Sequence, residues 1–552
     1  MNAKIQPDRV INALVLKRFC ARDVTLWSES EAERDEIAHR LDWLDAAHTG
    51  KKVIRHAEAL LDDLISNGFS HALVLGMGGS SLAPEVLGEV FKSPDLKLKK
   101  GLDLSILDTT DPKQILEKRK ELPIDKTVFI VSSKSGGTAE VNALEAYFWN
   151  ELFKSGVEKP GRHFVAITDP GTSLEKKGTE KGYRQVIRAN PNVGGRYSAL
   201  IEFGLVPAVL KGIDGLRLLA QAEKMEIPCD NLQSARKNPG IILGAFLADA
   251  YQAGRDKLTI IADPELETLG SWIEQLIAES SGKNTMGILP IDLEPLHNPE
   301  FYTTDRFFVY FSFNDSKSVY IKELEQMGYP VETFKISDPY ELGAEFFCWE
   351  VATAIACALI GVNAFDQPNV QLSKSITQQM IAEIKIHKGL SEQEPIFRSF
   401  DNNVYGEING LENANSIGEL LNKFLSQSKP NDFVAINAFI TRNPGCLSGL
   451  QELRKAIANK TNLATTIGFG PRFLHSTGQL HKGGKNNGHF LIITADRDDD
   501  IEIPGEGMSF GTLQKAQAIG DMRALQQQNR HVLRLHFKKG KFKLDFLTKL
   551  LA

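Results

Sequence analysis

The chain has 552 residues, 42% of them apolar and 24% charged, with a formal net charge of −6. That length exceeds one ordinary hydrophobic core, so two to four domains are expected, and interspersed charge of this sign excludes a nucleic-acid footprint. Five scattered cysteines show neither a disulfide framework nor CxxC metal spacing, which points to a reduced, cytoplasmic setting.

Residues 1–55 read as a helical segment with Trp27 and Trp43 as packing anchors, and the first residues lack the uncharged apolar core of a signal peptide. From His71 the pattern alternates. HALVLGMG, LDLSILDT, TVFIVSS and HFVAITD read as strands, with helices after Pro84, through 113–120 and over 138–154. A second unit follows the segment 194–210, with KLTIIAD, GILPI, FFVYFSF and VETFKI as strands and helices at 264–280, 317–327 and 341–361. Its apolar stretch 351–362 is too short to span a bilayer and reads as a buried helix, so no membrane role follows. Residues 364–370 read as a loop and 375–430 as polar and helical. DFVAINAFI, LATTIGF, HFLIITA and HVLRLHF then give a third set of strands, with helices near 449–458 and 511–528. The pattern predicts an α/β fold of two doubly wound parallel-sheet domains and a C-terminal α/β segment, divided as 1–55, 56–215, 216–380 and 381–552. The short charged runs 496–500 and 538–543 read as solvated turns.

Two loops carry the chemistry. Gly76-Met77-Gly78-Gly79-Ser80-Ser81 and Ser132-Ser133-Lys134-Ser135-Gly136-Gly137-Thr138 each follow an apolar strand and open a helix. Glycines let the backbone approach an anion, helix N–H groups point at it, and hydroxyls add short hydrogen bonds. The first loop alone reads equally well as a tight turn. It has neither the Walker lysine spacing nor the GxGxxG pattern. The hydroxyls of Ser133, Ser135 and Thr138 suit one terminal phosphate better than a pyrophosphate, so together the loops point to a sugar phosphate. In Asn192-Val193-Gly194-Gly195-Arg196-Tyr197-Ser198, flanking glycines would let Arg196 approach a ligand and offset a developing enediolate, although a turn with a surface arginine is the plainer reading. Glu279, in Ala278-Glu279-Ser280-Ser281-Gly282-Lys283, is an ordinary solvated helix residue unless buried beside substrate, where it would serve as a general base. His475 and His481 are six residues apart. That is not the spacing of a helical metal site, so acid–base or hydrogen-bonding roles are expected, with no metal and no cofactor.

GMGGS with SSKSGGTAE resembles the phosphosugar-binding loops of SIS (sugar isomerase) domains, and NVGGRYSALIEFGLVP, AESSGK and FDQPNVQLSK resemble the signature segments of the glucose-6-phosphate isomerase family. The match runs over roughly residues 60–380 in the same order. The rest, with FGPRFLHSTGQLHKGG, is similar to the isomerase half of bifunctional transaldolase–glucose-6-phosphate isomerases; the transaldolase barrel is absent, and that activity is not expected. The resemblance implies that Gly78, Gly79, Ser80, Ser133, Lys134, Ser135 and Thr138 hold the phosphate, that Arg196 stabilises the enediolate and that Glu279 moves the proton between C1 and C2. Gln367 and Lys374 match the FDQ…K segment, whose lysine helps to open the ring. The family's ring-opening histidine lies in a Q-L-x-H-Q-G segment between the AESSGK and FDQ motifs. Here the best match, Gln479-Leu480-His481-Lys482-Gly483, lies after both, so His481 is the expected ring opener, with His475 and His297 as rivals. The resemblance also implies subunit contacts near the site, hence a homo-oligomer. The rival readings are an isomerase with dual glucose/mannose phosphate specificity and a non-catalytic phosphosugar sensor, which would need the loops but not Glu279 or Arg196.

Overall fold

A computed structural model describes residues 13–230, 237–387, 392–407 and 414–551. The chain builds three sheets. The first contains β1 (His71–Gly76), β2 (Asp103–Leu107), β3 (Thr127–Ser132), β4 (Phe164–Thr168) and β5 (Gln185–Arg188), all parallel, in the order β2-β1-β3-β4-β5. The second contains β6 (Lys257–Ala262), β7 (Leu289–Ile291), β8 (Arg306–Ser312) and β9 (Val331–Lys335), also parallel, in the order β7-β6-β8-β9. The third joins β10 (Phe397–Arg398), β11 (Asn402–Gly406), β12 (Phe433–Phe439), β13 (Ala464–Phe469), β14 (Gly488–Ala495) and β15 (His531–Phe537) in the order β10-β11-β15-β14-β12-β13.

Numbered within its own sheet, each parallel set contains the order 2-1-3-4, extended by a fifth strand in the first sheet: the same winding occurs three times. In the third sheet β10 and β11 extend the β15 edge in antiparallel sense. The parallel strands are short apolar runs because helices cover both faces, and every residue of β3, β4, β8 and β12 is buried. Ligands of such sheets bind at the carboxyl ends of strands, where the strand order reverses. In the first sheet that point lies between β1 and β3, whose last residues, Gly76 and Ser132, are register partners.

Three departures from the sequence pattern have physical causes. Residues 375–430 are not helical throughout: the helix Pro368–His387 is followed by β10, β11 and the helix Ile417–Ser426. The polar strand Asn402–Gly406 hides its period behind asparagines, yet it pairs with β15 and buries Val404 and Tyr405. Part of that stretch, 388–391 and 408–413, lies outside the described residues. The supposed loop 364–370 already enters a helix at Pro368, a favoured first helical residue. Finally, three helices, Glu202–Lys211, Gly215–Cys229 and Pro239–Gln252, link the first two sheets where no element was expected.

One continuous apolar core runs from the N-terminal helices through the first and second sheets, while the third sheet has its own on one face and shares another with Leu289 and Ile291 of β7. Trp43 stacks on Tyr197 with ring centroids 5.0 Å apart, and Trp27 packs edge-on against Phe365 at 5.0 Å. The N-terminal segment thereby braces the segments that carry Arg196 and Gln367. Pro339–Ile360 is long and apolar enough to cross a membrane, but 83% of its most apolar window is buried inside the protein.

Candidate active site

A cavity of about 520 Å³ opens at the β1/β3 switch point and takes walls from all three sheets. Gly78, Gly79 and Ser80 line it from the first loop, and Lys134, Ser135, Gly137 and Thr138 from the second. Gly78 adopts φ +56°, and a Cβ there would sit 2.9 Å from Gln275 Nε2 and 3.0 Å from His475 O, so only glycine fits. Thr138 precedes the helix Ala139–Lys154, and the first residues of that helix, Ala139 and Glu140, line the cavity beside the hydroxyls, where a helix has free N–H groups. Ser133 is buried behind this wall, its Oγ 2.8 Å from Thr138 Oγ1. Lys134 reaches the wall with its ammonium 2.6 Å from Asp169 Oδ2. Burial lowers the Lys134 pKa, and the Asp169 contact opposes that.

Arg196 is 2% exposed and fixed from every direction. Its Nε donates to Ser280 Oγ at 2.8 Å, Nη1 to Gln367 Oε1 at 2.8 Å, and Nη2 to the carbonyls of Ala364 and Asp366 at 2.5 and 2.8 Å. Nη1 also lies 3.7 Å from Glu279 Oε1. Glu279 stands on the helix Leu269–Ser281, which follows β6 of the second sheet. The helix aims the carboxylate into the cavity and leaves it only 14% exposed. Behind Arg196, Lys283 pairs with Asp366 at 2.7 Å; burial and the nearby Arg196 bring its pKa down to about 8.

The third sheet supplies a histidine, but not the expected one. After β13, the turn Arg472–His475 brings His475 to the cavity, with Nε2 3.1 Å from Glu140 Oε1. Burial would raise the Glu140 pKa, but the contact with His475 outweighs it and holds the carboxyl below its usual range. Gln517 Nε2 donates to the same Glu140 oxygen at 2.7 Å, and its Oε1 accepts from Thr110 at 2.9 Å. His481 instead lies on the short helix Gly478–Gly483 and faces away from the cavity. It packs on Phe490 at 4.9 Å and near Phe473 and Phe433, and neither ring nitrogen has a hydrogen-bond partner. Burial, with Lys482 and Arg530 nearby, pushes its pKa well below the ordinary histidine value. A side chain so placed does not line the cavity and favours its neutral form. His297 stacks on Phe301 at 4.0 Å and lies outside the cavity as well.

Of the residues singled out from the sequence, all but Ser133, His481 and His297 line this one cavity. Lys374 does so from the helix Pro368–His387. Sequence reasoning missed Glu140, Gln275 and Gln517. The first is two residues past the glycine–threonine loop and was legible as a first-turn carboxylate. The two glutamines carried no signal. Among the described residues, no group of three or more His, Cys, Asp or Glu side chains converges as metal ligands would.

Residues 63–288 match the model of the Phosphoglucose isomerase family. A glucose-6-phosphate isomerase of Methanocaldococcus jannaschii is 27% identical over 67% of this chain and 98% of its own length. Among solved structures, a hypothetical protein of Thermus thermophilus aligns at 23% identity and a TM-score of 0.54, covering 67% of this chain and 94% of its own. A glucose-6-phosphate isomerase of Chlamydia trachomatis aligns at 19% identity and a TM-score of 0.50, covering 65% of this chain and 76% of its own. These two share the fold.

Proposed function

We propose that this relative of the glucose-6-phosphate isomerases is itself an aldose–ketose isomerase, interconverting glucose 6-phosphate and fructose 6-phosphate without a metal. The observation that carries the reading is the pairing of Glu279 with Arg196 at 3.7 Å, in the same cavity as the two phosphate-type loops. A sensor of phosphosugars would need the loops alone.

The loops grip the C6 phosphate, and that remote binding energy holds C1 and C2 against Glu279. His475, oriented by Glu140, exchanges the proton that opens the pyranose ring, and Lys374 assists from the facing helix. Glu279 then takes the proton from C2 of the open aldose. The electron pair forms the C1–C2 double bond of a cis-enediol, and the carbonyl oxygen at C1 is protonated. Return of the proton to C1, with loss of the O2 proton, gives the ketose. Arg196 cannot swing away, so its charge is already in place when the enediolate develops. The ring-opening role passes to His475 because His481 is sealed in an aromatic core.

A coupled assay for fructose 6-phosphate conversion by purified protein tests the reading. Steady turnover in both directions is expected. Protein that binds the sugar phosphate without converting it would be a sensor.

A further inference from the structure

His475 reaches the cavity at the end of a single turn, and the residue that opens that turn is Arg472. Arg472 does not line the cavity. Its guanidinium bridges two carboxylates of the first sheet's unit: Nη1 meets Asp108, just beyond β2, and Nη2 meets Glu85 on the helix Leu82–Val90. Nη2 also lies 3.4 Å from Ser271 Oγ, on the helix that carries Glu279. Burial alone would raise the Glu85 carboxyl, yet Arg472 and Arg442 hold it down at about 2, so the contact is ionic on both sides. Asp108 has further partners, and Arg442 Nη1 lies 3.9 Å from its Oδ1. Ser81, in the first phosphate-type loop, donates to Asp108 Oδ2 at 3.2 Å and to Gly78 O at 3.1 Å. One carboxylate thus joins the phosphate loop to the turn that ends in the candidate acid–base histidine.

The rest of the turn is held from the second sheet's side. Ser476 Oγ donates to Glu274 Oε1 at 3.0 Å, and Gln275 Nε2 donates to His475 O at 2.9 Å. These contacts fix the backbone after the histidine; Arg472 fixes the backbone before it.

We propose that Arg472 is a positioning residue for His475: through Glu85 and Asp108 it sets the turn so that the imidazole meets Glu140, and through Asp108 and Ser81 it ties that turn to the phosphate loop. The proposal rests on the ring-opening role assigned to His475 above. It requires the planar fork of arginine, because a lysine ammonium is a point charge that cannot span both carboxylates in fixed geometry.

The test compares wild type, Arg472→Lys, His475→Ala and the double variant on glucose 6-phosphate. Arg472→Lys is expected to lower kcat by about 10- to 100-fold with KM within about threefold, whereas on the His475→Ala background it costs no more than about twofold, as for residues acting through one another. Independently of turnover, ethoxyformylation of His475, followed by peptide mapping of the folded protein, is expected to run at least about fivefold faster in Arg472→Lys, since the turn is no longer held. Asp108→Asn, which should give the same pattern, serves if the lysine protein does not fold. The proposal is overturned if Arg472→Lys keeps full turnover, if its loss multiplies through the His475→Ala background, or if the modification rate of His475 is unchanged. If wild type does not isomerise the sugar, or His475→Ala remains fully active, the ring-opening reading fails by itself, and the modification rate still decides whether Arg472 sets the turn.

Discussion

Gln275 and Glu279 stand one helical turn apart, and Nε2 of Gln275 donates to Glu279 Oε2 at 3.1 Å. The same amide donates to the carbonyl of His475. The candidate base and the histidine segment therefore share one rigid donor. Gln275→Leu keeps the bulk and removes the donor, so kcat should fall by about 10- to 100-fold, the size of one hydrogen bond to a charged group. Steady-state kinetics with unchanged kcat would remove Gln275 from the site.

Glu279→Gln keeps the size and one acceptor oxygen, turns the other into a donor, and cannot accept the C2 proton. Turnover should drop by at least about a thousandfold while sugar phosphate binding, measured by titration calorimetry, stays within about threefold. Exchange of the C2 proton with deuterated solvent should vanish with it. Turnover within tenfold of wild type would mean that another group is the base.

The two histidines of FLHSTGQLH should separate cleanly. His475→Ala should lower conversion of the cyclic sugar by about 100-fold or more, whereas His481→Leu should leave kcat within about twofold. His481 has a different signature, in stability. The folded chain keeps it neutral, with a pKa well below 6.5, whereas the unfolded chain takes up the proton near 6.5. Its contribution is fully present above that pH and is lost below it, by about 1.4 kcal/mol per pH unit. Urea midpoints measured from pH 7.5 down to 5 should fall more steeply for wild type than for His481→Leu. Parallel profiles would show that His481 does not stay neutral on folding.

Two glycines of the phosphate loops should fail in opposite ways. A Cβ on Gly79 would lie 1.9 Å from Gly195 O, in the segment that carries Arg196, so Gly79→Ala should force the two apart and destabilise the fold by about 1–3 kcal/mol. A Cβ on Gly137 would meet nothing within 4 Å, but it would project where the phosphate is expected. Gly137→Ala should therefore leave the melting temperature unchanged and raise KM several-fold. Equal melting temperatures for the two variants would contradict this division.

The strands were legible because buried parallel strands are short, unbroken apolar runs, and the two phosphate-type loops announced themselves by composition. The half-exposed β5 and the asparagine-rich β11 were not, because strand pairing rather than side-chain pattern makes them strands. Of the site, Glu279, Arg196 and Lys374 reach the cavity where local motifs placed them. The expected histidine, His481, lies outside the cavity for a physical reason, while His475 lines it. His481 fits the better string of letters, but which of two nearby side chains turns inward depends on what packs against the turn, and here Phe433, Phe473 and Phe490 close over His481. Contacts such as Glu140 with Gln517 link residues far apart in the chain, which no local pattern reports.

Each of the three sheets is wound from neighbouring strands and can form largely from local crossovers, yet none of them contains the cavity. Its walls exist only where the three meet: loops from the first, a carboxylate from the second and an imidazole from the third. On the reading proposed above, turnover would require all three units to be docked, and no one folded unit would suffice. During renaturation, recovery of turnover should trail recovery of helix and strand content, and the length of that lag would time the docking of the three units.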